Sequence, residues 1–272
     1  MKSRIAEALK LPHQPVAIVF SDERPENAIE FKEKAWGCHM WLLSGAAKGK
    51  TGVSSRKTYG CQGGGVGAGF GNQYENFPGG VDGFCRFLSS GNTGNTAGEA
   101  IAEGMKQFAR KEFVDDYLLG ERYLKKTEDV REFVESLPMR DVPAEYVVYK
   151  PLSDVNTDKE TPVSVVFFSD PDQFAAIGVL ANYSYPGNEN VIFPYAAGCQ
   201  SIGIYSYSEG ESETPRAVAG PMDVSARLYL RNAFGENVMT MSLPWRMFLK
   251  MEDNVEGSFL ERHTWHELLK TK

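Results

Sequence analysis

Four cysteines are the residues of this chain best suited to chemistry, and they stand at positions 38, 61, 85 and 199. Thiolates are the ligands that iron–sulfur clusters and soft metal ions require. None of the four forms a Cys-x-x-Cys pair, so the sequence contains neither a local zinc knuckle nor a thioredoxin-like motif. Only the fold can bring Cys38, Cys61, Cys85 and Cys199 together. We predict that they converge on a metal or an iron–sulfur cluster, with [4Fe–4S] as the favoured form.

Two of these cysteines stand in the same tripeptide, Gly-Cys-Gln. Gly60-Cys61-Gln62 opens the densest glycine run of the chain, and Gly198-Cys199-Gln200 repeats the pattern. Glycines allow backbone amides to crowd around a bound group, because they carry no side chain and reach positive φ readily. We therefore predict that the two turns line one cofactor site through Gln62, Gly63, Gly64, Gly65 and Gln200.

Other chemistries compete for the same region. The run from Gly63 to Ala68 matches the G-x-G-x-x-A form of the dinucleotide fingerprint, but the segment 54–60 before it is polar and basic instead of an apolar strand. Segment 44–51 nearly spells a phosphate-binding loop, yet Ser44 occupies the first glycine position. Both nucleotide interpretations stay open as the weaker alternatives to a cysteine-ligated centre.

Histidine and tyrosine offer further alternatives. Cys38 and His39 are adjacent, which on a helix directs their side chains apart, so adjacency alone does not make a catalytic dyad. His263 and His266 are one helical turn apart and could share a metal ion. Tyrosines flank the second Gly-Cys-Gln turn and could pack in a core or form the wall of a cofactor pocket: Tyr183, Tyr185, Tyr195, Tyr205 and Tyr207.

Composition narrows the class of protein. The 272 residues carry 29 Lys and Arg against 36 Asp and Glu, a formal net charge of −7, which argues against a dedicated nucleic-acid binder. Residues 1–11 are too charged for a secretory signal, and no run approaches the roughly 18 apolar residues of a membrane span. We expect a cytoplasmic protein with reduced thiols and no membrane partner.

The elements that must position the cysteines predict an α+β fold. Apolar, β-branched runs predict strands at 15–20, 146–152, 162–168 and 238–243, and apolar spacing predicts helices at 96–119, 127–137, 222–233 and 259–269. Residues 72–95 have the composition of a long loop.

A weak internal repeat predicts two related halves. Segments 15–22 and 162–170 share a proline start, a β-branched body and a Ser-Asp exit, and each precedes a helical stretch. We expect an N-terminal half (1–152) with Cys38, Cys61 and Cys85, and a C-terminal half (162–272) with Cys199. Each half would contain a short mixed sheet with covering helices, and the two would pack as one continuous unit.

Dispersed motifs along nearly the whole chain resemble a known family. They are the proline-initiated strand, the Cys61-Gln62-Gly63-Gly64 turn, the stretch 137–152 and the later Gly198-Cys199. The combination resembles the domain of unknown function 169 family, common in anaerobic bacteria and archaea. The resemblance implies no specific activity. It implies recurring cysteines at the positions of Cys38, Cys61 and Cys199, and its anaerobic setting favours oxygen-sensitive iron–sulfur chemistry.

Two hypotheses of function follow. The first is a cytoplasmic redox or iron–sulfur protein that works with an electron-transfer partner. The second is a non-catalytic sensor or carrier, which binds an anionic small molecule in the glycine-rich loop predicted after Cys61 while its cysteines are structural.

Overall fold

The computed structural model describes residues 1–270, which divide into two units. Unit 1 consists of Met1–Phe70 and the chain from Arg140 onward, and unit 2 is Gly71–Met139. The strands are β1 (Val16–Ser21), β2 (Gly52–Ser55), β3 (Tyr146–Pro151), β4 (Ser164–Ser169), β5 (Val191–Ile192), β6 (Ala217–Gly220) and β7 (Met239–Pro244). The α-helices are α1 (Arg4–Ala8), α2 (Met40–Ala47), α3 (Gln62–Ala68), α4 (Gly80–Leu88), α5 (Thr96–Met105), α6 (Lys111–Leu119), α7 (Thr127–Ser136), α8 (Pro171–Asn182), α9 (Gly198–Ile202), α10 (Ile204–Glu211), α11 (Val224–Phe234), α12 (Trp245–Asp253) and α13 (His263–Lys270).

One mixed sheet forms the centre of unit 1. Within residues 1–270 it has seven strands in the order β2-β3-β1-β4-β7-β6-β5, antiparallel except for the parallel pair β5 and β6. The predicted α+β class is confirmed, whereas the prediction of two halves with a short sheet each is not confirmed, because the described strands form one sheet. Strands β1 and β4 pair directly, with Val16 opposite Val166. Both strands are apolar and largely buried, so each takes a neighbour along both edges.

The main apolar core lies on one face of this sheet, beneath α8 and α12. Successive side chains of a strand point to opposite faces, so alternate residues of β4, β6 and β7 contribute to it. Asp170 and Pro171 begin α8, because the carboxylate accepts from the Gln173 amide at 2.9 Å and proline suits the first turn. The core includes Val165, Phe167, Ile177, Leu180, Ala217, Ala219, Met241, Leu243, Met247 and Phe248.

On the opposite face of the sheet, polar side chains form hydrogen bonds with a second set of helices and the segments that precede them. Ser242 lies between two core residues of β7 and therefore points away from the main core, where its hydroxyl donates to the Ile202 carbonyl of α9 at 3.2 Å. Tyr149 of β3 bonds to His39, which directly precedes α2. This face consequently holds α2 and α9 on the sheet.

The glycine run is a helix, which corrects the expectation of a loop. Cys61 is the N-cap of α3, and Gly69 ends the helix in the left-handed conformation. A methyl group added at Gly67 would lie 2.6 Å from the carbonyl carbon of Cys199, and one added at Gly203 would lie 1.8 Å from the Gly67 oxygen. The glycines therefore allow the backbones of α3 and α9 to touch. This packing stabilises a helix whose intrinsic propensity is poor.

Unit 2 is helical. Helix α4 occupies part of the predicted loop at 72–95, and the predicted helix at 96–119 is divided into α5 and α6; α7 confirms the prediction at 127–137. The interior is aromatic, and the rings of Tyr74 and Phe84 stack at 3.8 Å. The predicted loop at 72–95 has little helical periodicity, but its aromatic side chains pack into a core with those of α6. The rings of this core are Tyr74, Phe77, Phe84, Phe87, Phe113 and Tyr117.

No helix within residues 1–270 combines the length and the apolar character that crossing a lipid bilayer demands.

The contact between α3 and α9 yields the first prediction. Gly67→Ala should lower the free energy of unfolding by about 1–3 kcal/mol, because the new methyl group meets backbone atoms that cannot rotate away. Gly178→Ala in α8 is the matched control, since a methyl group there has no neighbour within 4 Å. The control should raise the free energy of unfolding by up to about 1 kcal/mol. Urea denaturation measures both variants, and equal effects would contradict the close approach of the two helices.

Candidate functional site

Cys38, Cys61 and Cys199 all lie in unit 1, each beside the start of a helix. Cys38 precedes the first residues of α2, Cys61 is the N-cap of α3, and Cys199 is the second residue of α9. We call these residues the cysteine site. All of them are partly exposed and free of disulfide bonds.

The first turn of α3 contacts two of the sulfurs. The Gly64 amide donates to Cys61 Sγ at 3.3 Å. One residue earlier, the Gly63 carbonyl accepts from the Cys199 thiol at 3.0 Å. The touching backbones of α3 and α9 thus bring Cys61 and Cys199 to the same helical turn, although 138 positions separate them in the sequence.

His39 connects Cys38 to the same turn and to the sheet. A methyl group added at Gly64 would lie 2.8 Å from His39 Cβ, so this glycine allows the segment before α2 to approach α3. Nδ1 of the buried imidazole lies 2.9 Å from the Tyr59 carbonyl, and Nε2 lies 2.6 Å from Tyr149 Oη. Since a carbonyl only accepts, we assign the proton to Nδ1 and let Nε2 accept from Tyr149.

The pKa values of all three thiols are raised, because packing removes water from the sulfurs and because ionised sulfurs would repel one another. Burial, followed by the negative charge of Cys61, raises the pKa of the Cys38 thiol to about 12. Burial, Cys61 and then Cys38 raise the pKa of Cys199 well above its usual range. Burial also raises the pKa of Cys61, against the opposing hydrogen bond from Gly64. Without a bound cation these thiols are therefore protonated near neutral pH.

The same environment argues against a cysteine–histidine dyad. Burial lowers the pKa of His39 to about 4, so the imidazole is neutral near pH 7. Both of its nitrogens are engaged by Tyr59 and Tyr149. His39 therefore acts here as a positioning residue and does not activate a thiolate.

Sequence patterns did not single out one residue of this site, Asp223, whereas Tyr207 was among the tyrosines predicted for a core or a cofactor pocket. Asp223 is the N-cap of α11, and its carboxylate also accepts from the Gly198 amide at 3.3 Å. Its charge contributes to the raised pKa of every thiol in the cysteine site. Asp223 lies at the start of the predicted helix at 222–233, and its residue type was the available signal, since aspartate is a preferred N-cap.

Tyr207 of α10 is buried, and its hydroxyl has no hydrogen-bond partner within the described chain. Burial raises the pKa of Tyr207 well above its usual range, with further contributions from Tyr149 and Cys199. An orphaned hydroxyl therefore lies within electrostatic range of the Cys199 sulfur.

Internal contacts occupy several of the residues predicted to bind a cofactor. Gly63 and Gly64 contact the sulfurs, as described above, and the Gly65 amide donates to the Cys61 carbonyl at 3.0 Å. The buried Gln200 accepts from the Ala197 amide at 2.9 Å and so caps α9. Gln62 is the first residue of α3. A direct role of these residues in binding a cofactor stays a prediction.

Cys85 belongs to unit 2. It is fully buried in α4, and its carbonyl accepts from the Ser89 hydroxyl at 2.7 Å. Burial raises the pKa of its thiol, and the charged groups that influence it are Arg131, Asp82 and Glu135 of the same unit. Its predicted role as a ligand stays a prediction, and we do not include it in the cysteine site.

The family model DUF169, described as "Uncharacterised ArCR", matches residues 4–254. The chain belongs to the DUF169 family. The predicted family is thereby confirmed, and the match includes all four cysteines together with Asp223 and Tyr207. No curated protein and no solved structure matches the chain.

The DUF169 match ends before the other predicted metal ligands, His263 and His266, which lie on α13. His263 Nε2 lies 3.5 Å from the Glu267 carboxylate. Throughout residues 1–270, no group of three or more Cys, His, Asp or Glu side chains is arranged to hold a metal ion. The sulfurs of the cysteine site therefore influence one another's ionisation without forming a ready single-ion site.

The second prediction concerns the anchor of Cys38. Tyr149→Phe removes the donor to Nε2 and leaves a buried acceptor unsatisfied, so the free energy of unfolding should fall by about 1–3 kcal/mol. Tyr146→Phe on the same strand is the control and should change it by less than about 0.5 kcal/mol. Urea denaturation of both variants decides the matter. A Tyr149→Phe protein as stable as the control would exclude this hydrogen bond as an anchor.

Proposed function

We propose that the cysteine site binds an iron–sulfur cluster, with [4Fe–4S] as the favoured form, and that the protein has a redox-related role. The observation that carries this proposal is the convergence of Cys38, Cys61 and Cys199 to within electrostatic range of one another. Thiolates brought this close repel each other. A positively charged metal centre attracts the thiolates and displaces the thiol protons. Metal binding therefore lowers the pKa values that burial and mutual repulsion raise.

A cluster suits the arrangement better than a single ion. All thiolates of a structural zinc site lie about 2.3 Å from the same atom, so they crowd together. In a cluster each iron takes its own thiolate, and the ligands are spread over a larger body. In residues 1–270 the charges of these sulfurs influence one another's pKa, yet no group is arranged to hold a single metal ion. The wider spacing of ligands around a cluster would account for both findings.

Hydrogen-bond donors around the site also support a cluster. The Gly64 amide already donates to Cys61 Sγ. The orphaned Tyr207 hydroxyl lies near Cys199, and leaving a buried hydroxyl unsatisfied costs about 1–3 kcal/mol. Cluster sulfides and ligating sulfurs accept such hydrogen bonds, which adjust the reduction potential. Tyr207 would gain a partner when the site is loaded.

The setting that we propose follows from the same chemistry. Cys38, Cys61, Cys85 and Cys199 are all free thiols, as in a reducing compartment, so we propose a cytoplasmic location and an electron-transfer partner. The competing hypothesis of an anion sensor has no specific observation in its favour, because the Gly64 and Gly65 amides both donate to Cys61.

The third prediction tests the cluster. Protein purified without oxygen, or reconstituted with ferrous iron and sulfide, should be brown, absorb broadly near about 400 nm and contain about four irons per chain. Cys61→Ser and Cys199→Ser should each lose most of the iron. Cys85→Ala is the matched control, since this buried thiol lies in unit 2 and alanine suits an apolar core.

Iron and sulfide analysis, together with absorption spectra of folded protein, provides the measurement. Circular dichroism verifies that each serine variant is folded. Wild-type protein that stays colourless and iron-free after reconstitution would overturn the cluster proposal. Equal iron loss in Cys85→Ala and the serine variants would overturn the assignment of the cluster to the cysteine site alone.

A further inference from the structure

The sheet has a symmetric strand order that the paired Gly-Cys-Gln sequences did not reveal. Outward from the central pair, the described strands run β1-β3-β2 on one side and β4-β7-β6-β5 on the other. Strand β5 lies parallel to β6, and on the other side Ile29 forms the corresponding isolated parallel bridge with Gly52 of β2. Strands β2 and β6 therefore occupy equivalent positions, each third from the centre of the sheet. Helix α3 follows β2, and α11 follows β6. The N-caps of these helices, Cys61 and Asp223, therefore hold the same place in the topology.

The two N-caps also share their local geometry. The Cys61 sulfur accepts from the amide three residues later, that of Gly64, and the Asp223 carboxylate accepts from the amide of Ala226 at 3.3 Å. Gly64 packs against His39, which adjoins Cys38. Ala226 correspondingly approaches Gly198, which adjoins Cys199, since a methyl group added at Gly198 would lie 2.7 Å from the Ala226 side chain.

The two carboxylate oxygens of Asp223 have separate tasks. Oδ1 caps α11, accepting from the Ser225 amide at 2.8 Å and its hydroxyl at 2.7 Å. Oδ2 accepts from the Gly198 amide at 3.3 Å and is therefore the oxygen directed at the segment that carries Cys199. A long hydrogen bond to one amide leaves acceptor capacity on Oδ2, because a carboxylate oxygen has two lone pairs.

We propose that Asp223 is the fourth ligand of the cysteine site and that its Oδ2 binds the iron which Cys38, Cys61 and Cys199 leave without a protein ligand. This proposal rests on the cluster function proposed above. A four-iron cluster has one position more than the site has thiolates. Carboxylate oxygen is a harder ligand than thiolate and holds iron in a cluster less firmly. The iron at Asp223 is consequently the one that exchanges most readily.

The fourth prediction separates ligation from helix capping. Asp223→Ser keeps a good N-cap and removes the carboxylate, so α11 should stay folded while the cluster loses one iron faster than in wild type under mild oxidation. Asp223→Cys supplies a fourth thiolate and should slow that loss below the wild-type rate. Asp170→Ser at the N-cap of α8 is the matched control, and its iron loss should equal that of wild type.

Iron content against time and the electron paramagnetic resonance spectrum of the three-iron product are the readouts, with Asp223→Asn as a second variant should the serine protein fail to fold. Equal rates and spectra for wild type, the folded Asp223 variants and Asp170→Ser would overturn the assignment of Asp223 and leave the cluster proposal intact. Wild-type protein that takes up no iron at all would overturn both proposals.

Discussion

The backbone contact between α3 and α9 is the constraint on which the cysteine site depends. Gly67 lies against the Cys199 carbonyl at a separation that leaves no room for a side chain, and Gly203 meets the Gly67 oxygen in return. Helices that approach this closely fix their relative position, because neither can slide without a clash. This contact also fixes the positions of the Cys61 and Cys199 sulfurs, since each forms a hydrogen bond with the first turn of α3.

The sheet supplies the second fixed point. His39 is held by Tyr149 of β3 on one side and by the Tyr59 carbonyl on the other, so the segment that carries Cys38 is tied both to the sheet and to the chain entering α3. The low pKa keeps the imidazole neutral near pH 7, and in that form it donates to the Tyr59 carbonyl and accepts from Tyr149. Thus Cys38 is positioned by a buried hydrogen-bond network, and Cys61 and Cys199 by backbone packing.

Local patterns in the sequence were sufficient for the α+β class and the central strands. The apolar runs beginning at Pro15 and Pro162 predicted β1 and β4, because burial on both faces leaves a continuous β-branched signature. Local patterns failed for the glycine run. Glycine at 64 and 67 is required by contacts with His39 and Cys199, which are distant in sequence, so composition indicated a loop where tertiary packing makes a helix. Asp223 was missed for the same reason, since its helix cap is local but its neighbours are not.

Ionised thiols held this close to one another and to a carboxylate would repel. The raised pKa values express that repulsion together with burial, because folding keeps Cys38 and Cys199 protonated at alkaline pH values where thiols in water ionise. Natural chains tolerate local conflicts of this kind mainly at functional sites, where a bound group resolves them. In the proposed cluster site, the rigid glycine contacts would keep the sulfurs in a fixed arrangement, which flexible helices would not.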